Sequence, residues 1–185
     1  MLFRSGQVVG WWGLSPVHAW LYSNGTITDL PEPSGEGCQA SAINNSGQIL
    51  GTCAYADNSN RHSVLWQNDT VTDLSTLGGL QGFTASAINN LGQIAGSAPT
   101  STGATDGFLD SNGTMTDLGS FTPAALNDNG VMVGGEDVYS SGTAQNLNNL
   151  LQPGSAGQIT NVTAINDNGQ IVATDIPQVF LLTPS

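Results

Sequence analysis

Ala42-Ile-Asn-Asn-Ser-Gly-Gln-Ile-Leu-Gly51 decides the reading of this chain, because it recurs. It returns as Ala87-Ile-Asn-Asn-Leu-Gly-Gln-Ile-Ala-Gly96, Ala125-Leu-Asn-Asp-Asn-Gly-Val-Met-Val-Gly134 and Ala164-Ile-Asn-Asp-Asn-Gly-Gln-Ile-Val-Ala173. A shortened form, Gly6-Gln-Val-Val-Gly10, lies near the start. The turn glycines are Gly6, Gly47, Gly92, Gly130 and Gly169, separated by 41, 45, 38 and 39 residues. A period near 40 residues marks a repeat architecture, in which each unit buries its faces only against its neighbours.

Each copy reads as a hairpin. A short apolar strand meets Asn-Asn-Ser-Gly or Asn-Asp-Asn-Gly, whose glycine supplies the positive φ the turn demands, and a β-branched strand follows. A second phrase lies between the copies: His18-Ala-Trp-Leu-Tyr-Ser-Asn-Gly-Thr-Ile-Thr-Asp-Leu30, His62-Ser-Val-Leu-Trp-Gln-Asn-Asp-Thr-Val-Thr-Asp-Leu74 and Asp106-Gly-Phe-Leu-Asp-Ser-Asn-Gly-Thr-Met-Thr-Asp-Leu118. Asn-Gly between alternating strands is a strong hairpin signal. The fourth copy reads as degenerate around Asn146 to Leu151. No window carries a sustained 3.6-residue stripe, so helix content should be very low.

Two hairpins per repeat predict an all-β fold, a β-propeller of about five four-stranded blades within one domain, 1–185. Approximate blades are 1–38, 39–83, 84–121, 122–161 and 162–185. The first keeps only a stub of its first strand (Met1 to Phe3), and the last lacks its fourth. An open β-solenoid of stacked hairpin repeats is the alternative. The incomplete blades predict an unpaired edge, and unpaired edges invite other strands.

Composition narrows the partners. The 185 residues carry 2 Lys+Arg, both Arg, against 14 Asp+Glu, for a formal net charge of -12. Two cations do not supply the phosphate neutralisation that nucleic-acid binding needs, and an anionic membrane surface is excluded on the same ground. Charged residues are only 9% of the chain, so it is not a charged disordered tail. No apolar run approaches the length of a membrane helix, and no signal peptide is read within the chain.

Cys38 and Cys53 oppose each other when the first hairpin is centred on Asn45-Ser46, which predicts a cross-strand disulfide. A disulfide belongs to an oxidising compartment. Asp29, Asp73 and Asp117 recur in Thr-Asp-Leu, while Asp128 and Asp167 recur in the Asn-Asp-Asn-Gly turns. These carboxylates either accept hydrogen bonds from turn and strand-end amides or hold Ca²⁺ through oxygen ligands. No dense Asp-x-Asp-x-Asp spacing marks a metal loop, and no other cofactor is read.

His18 and His62 occupy matching places, but there is no His-Glu-x-x-His, no Cys-x-x-Cys and no third histidine to make a zinc or catalytic set. Glu32 and Glu36 share one loop, which offers no dry pocket to split their pKa values. No nucleophile elbow is present, and without lysine there is no P-loop. The chain is therefore read as non-enzymatic. Trp11-Trp12 stands where other repeats have Thr52-Cys53 or Ser97-Ala98; a sugar-stacking platform, a subunit contact and ordinary burial all remain open.

Ala-Ile-Asn-Asn-x-Gly-Gln-Ile-x-Gly, His18-Ala-Trp20 and Thr72-Asp-Leu-Ser-Thr-Leu-Gly-Gly79 resemble the HAF-repeat proteins, a group of probable extracellular bacterial repeat proteins. The resemblance spans nearly the whole chain, although the tripeptide varies through Asp106-Gly-Phe and Gln178-Val-Phe. Val179-Phe-Leu-Leu-Thr-Pro-Ser185 is similar to the end of the repeat region in members followed by a Pro-Glu-Pro sorting tail. The resemblance implies a propeller-like fold, an extracellular or cell-surface location and no established catalysis.

Together these readings predict an extracellular structural or interaction protein that self-assembles, by strand complementation into filaments or as part of a biofilm matrix. A glycan-binding propeller taking extracellular polysaccharide is the alternative, and a propeller-type hydrolase the second alternative.

Overall fold

In the computed structural model, residues 6–14, 16–33, 37–55, 61–74, 83–152, 157–175 and 177–184 are described. The predicted stub Met1 to Phe3 and Glu36 lie outside these residues. The chain forms five antiparallel sheets, each a meander in which consecutive strands are neighbours. Sheet one is β1 (Val8–Trp12), β2 (His18–Ser23) and β3 (Thr26–Asp29). Sheet two is β4 (Cys38–Ile43), β5 (Ile49–Cys53), β6 (His62–Gln67) and β7 (Thr70–Asp73). Sheet three is β8 (Thr84–Ile88), β9 (Ile94–Pro99), β10 (Thr105–Ser111) and β11 (Thr114–Asp117). Sheet four is β12 (Ala125–Leu126), β13 (Met132–Gly134), β14 (Asp137–Ser140) and β15 (Thr143–Asn146). Sheet five is β16 (Asn161–Ile165), β17 (Ile171–Asp175) and β18 (Gln178–Leu182). Among the described residues there is no α-helix, only a 3-10 turn at Leu147–Asn149.

The second hairpin of each repeat closes as its Asn-Gly chemistry predicts. Tyr22 pairs with Ile27 and Ser23 with Thr26, leaving Asn24 (φ 51°) and Gly25 (φ 84°) as a two-residue turn with both φ positive. Asn68-Asp69 and Asn112-Gly113 repeat it. The fourth repeat is less degenerate than its sequence implies. Its second hairpin is β14–β15, joined by Ser141 and Gly142 with φ of 53° and 83°, and it precedes the expected position. A tight link through Gly135-Glu136 between β13 and β14 moves it forward, and Asn146 to Leu151 instead carries the 3-10 turn.

The first hairpin departs from a two-residue turn in one respect. Ile43 pairs with Ile49 and Ala42 with Leu50, one residue wider than expected, and a bulge between Ala40 and Ala42 then restores the register. The two offsets cancel. Cys38 therefore still faces Cys53, and the pair forms a disulfide with a Cα–Cα distance of 4.1 Å. Sheet three has the same bulge between Ala85 and Ala87.

The sheets bury their faces against one another in chain order. Val9, Ala19, Leu21 and Leu30 of sheet one meet Ala40, Ile49, Val64 and Trp66 of sheet two. Ala42, Leu50, Leu65 and Leu74 meet Phe83, Ile94, Phe108 and Met115 of sheet three. Further apolar clusters join sheets three and four and sheets four and five. Each sheet thus has a leading face, toward its predecessor, and a trailing face, toward its successor. Gly51 and Gly96 keep leading faces flat enough to accept a ring: a Cβ there would strike Trp66 or Phe108, respectively.

Candidate functional site

The first strands of sheets two to five converge on one cavity of about 270 Å³, lined by Ala42, Asn44, Ala87, Asn89, Asn127 and Asn166 among others. Small residues at Ala42 and Ala87 let these strands approach, and the turns that end them are tied together. In each turn the first asparagine Oδ1 accepts two backbone amides of its own loop: Ser46 and Gln48 for Asn44, both at 3.0 Å, and Leu91 and Gln93 for Asn89, at 3.1 and 2.9 Å. Its Nδ2 then donates to the next repeat. Asn44 reaches the carbonyl of Asn89 at 3.0 Å, Asn89 that of Asn127 at 3.1 Å, and Asn127 that of Asn166 at 3.1 Å.

A second rail runs beside the first. The backbone amide of Asn45 donates to Asn90 Oδ1, that of Asn90 to Asp128 Oδ1, and that of Asp128 to Asp167 Oδ1, at 2.7, 2.8 and 2.9 Å. Asparagine in a tight turn commonly serves a left-handed backbone conformation. Positive φ does hold for Asn24, Asn68 and Asn112, but Asn44, Asn89, Asn127 and Asn166 are not in that region; their role is hydrogen bonding between repeats. The first turn position is asparagine in every full copy, and the second is Asn in two copies and Asp in the other two, both of which offer the acceptor.

The five repeated aspartates separate into two groups. Asp128 and Asp167 belong to the rails. Asp29, Asp73 and Asp117 lie on the last strands of their sheets, away from the cavity. Asp73 pairs with His62 Nδ1 at 2.7 Å, beside Tyr55, whose ring stacks on the histidine; Asp117 accepts the Gly119 amide at 2.8 Å. His18 pairs with Glu32 at 2.9 Å in the matching place. Among the described residues no three histidine, cysteine or carboxylate groups come together in a way that would hold a metal ion.

Trp11 and Trp12 are half exposed, at 52% and 58%, so ordinary burial does not account for them. Adjacent strand residues point to opposite faces, which prevents the two rings from forming one flat platform. Trp12 projects from the leading face of sheet one with Trp20, Tyr22 and Ile27. No described sheet precedes that face, and Tyr22 and Ile27 are exposed on it toward the far end of the strands from Trp12. At the other end, Val179 and Leu181 project from the trailing face of sheet five and are exposed at 70% and 63%. Neither end face was singled out from the sequence, because assigning a side chain to a face requires the register.

No family profile matches the chain, and no curated protein is significantly similar to it.

Proposed function

We propose that the chain is a non-catalytic, extracellular structural protein of propeller-type blades, set in an open array rather than a closed ring, whose repeats associate with further copies of itself. Exposed Trp12, Tyr22 and Ile27 at one end and Val179 and Leu181 at the other carry the reading, because soluble chains seldom leave such apolar faces uncovered. The propeller reading is supported by the convergence of four first strands on one cavity and by the hydrogen-bonded rails around it. Extracellular placement is supported by the Cys38–Cys53 disulfide and by the resemblance of the repeat phrases to HAF-repeat proteins. The buried carboxamides are committed to backbone partners, and the histidines to carboxylates, which suits a scaffold. Negative-stain electron microscopy of the intact protein tests this: assemblies or filaments are expected, and a uniform field of compact single-chain particles would contradict it.

A second reading, recognition of extracellular polysaccharide, is favoured by the exposure of Trp11, whose single ring offers a stacking surface. A glycan array with Trp11→Ala as the control separates the two, since that variant should lose a sugar signal and retain assembly.

A further inference from the structure

We infer that the trailing face of sheet five in one copy docks on the leading face of sheet one in a second copy, reproducing between chains the contact that joins consecutive sheets within a chain. This deepens the self-association reading and rests on it. The occupant follows from residue-by-residue correspondence between the uncovered faces and the covered ones.

On the trailing side, the pairing registers align Val172, Val179 and Leu181 with Val9, Ala19 and Leu21 of sheet one. Those three residues pack into the core between sheets one and two. On the leading side, Trp12, Trp20, Tyr22 and Ile27 align with Cys53, Val64, Trp66 and Val71 of sheet two, which form the other half of that same core. Each of these seven core positions thus has a counterpart at one end that is exposed or only half-buried.

Size complementarity agrees. Internal leading faces present rings, such as Trp66, Phe108 and Tyr139, to aliphatic side chains on trailing faces. The end faces keep that division, with Trp12, Trp20 and Tyr22 on one and Val172, Val179 and Leu181 on the other. Asp29 on the leading face is no obstacle, because Asp73 and Asp117 hold its position at internal contacts. Ile27 on one end face and Val179 and Leu181 on the other stay exposed in the single chain, so no described sheet of the same chain covers them, and the partner face comes from another molecule. The contact is heterologous and therefore propagates head to tail.

Two single-cysteine additions test the polarity, Tyr22→Cys and Leu181→Cys, each with the native disulfide retained. Mixing the two proteins with a short bismaleimide should give a cross-linked pair that neither forms alone. Leu181→Asp should abolish species larger than one chain while leaving circular dichroism and melting temperature unchanged, because its side chain is exposed in the single chain. Cross-linking of either variant with itself, or an internal cross-link in the double variant, would overturn the head-to-tail contact in favour of symmetric pairing or ring closure. Wild-type assembly that survives Leu181→Asp without cross-links would overturn the contact alone and leave self-association standing. A wild-type protein that never exceeds one chain would overturn both.

Discussion

The carboxamide of Asn44 donates to the backbone carbonyl of Asn89 across 45 residues of sequence, at 3.0 Å, and Asn89 repeats the act toward Asn127. One side chain both closes its own turn and joins its repeat to the next, so turn geometry and sheet-to-sheet spacing are coupled. Asn44 makes four such bonds while buried: two through Oδ1 and two through Nδ2, the latter including Gln48 Oε1. That uses the full capacity of an amide side chain apart from bifurcation.

Replacing Asn89 with alanine removes the partner of two loop amides and the link to Asn127. Unsatisfied buried groups cost about 1–3 kcal/mol each, so Asn89→Ala should destabilise by about 3 kcal/mol or more in urea denaturation. Asn166 makes the same loop bonds at an exposed site, where water replaces them. Asn166→Ala should cost about 1 kcal/mol. Equal losses at the two sites would argue against the coupling between repeats.

The Cys38–Cys53 bond closes a separation of 15 residues, and cross-linking a loop of that length contributes about 3 kcal/mol by restricting the unfolded chain. Reduction, or Cys38→Ser with Cys53→Ser, should lower stability by about that amount with little change in far-ultraviolet dichroism. An unchanged melting curve after verified reduction would contradict it.

Asp110 stands where Trp66 stands in sheet two and Tyr139 in sheet four, facing the preceding sheet. It is buried, and its Oδ1 has no hydrogen-bond partner. Removing a buried, half-satisfied carboxylate from an apolar contact is favourable, so Asp110→Leu should raise stability by about 1–3 kcal/mol. A fall in melting temperature would show that the carboxylate supports the sheet contact.

Gly96 lies under the Phe108 ring and against the Thr84 carbonyl, so an added Cβ meets both. Gly96→Ala should cost about 2–3 kcal/mol by overpacking the contact between sheets two and three. Gly113 has open space but a φ of 81°, so Gly113→Ala tests backbone strain alone and should cost about 1 kcal/mol.

Much of the local structure is legible in the residues. Asn24-Gly25 declares its turn, and Cys38 and Cys53 declare their pairing because a wider turn and the bulge before Ala42 offset each other. The hairpin of the fourth repeat is harder to see: Ser141-Gly142 closes it without the Thr-Asp-Leu that marks the others, and a tight link shifts it forward. The asparagine rails escape a local reading altogether, since the partner of Asn44 is set by how repeats sit side by side. The end faces escape for a related reason. Val179 and Leu181 look like any alternating strand until the register places them on the face of sheet five that no other described sheet covers.

Sedimentation equilibrium of the unmodified protein over a wide concentration range tests the central claim most directly. Head-to-tail docking predicts an average mass that climbs with concentration above the 19.0 kDa of one chain, without a plateau at the dimer. A constant 19.0 kDa at every concentration would contradict the account.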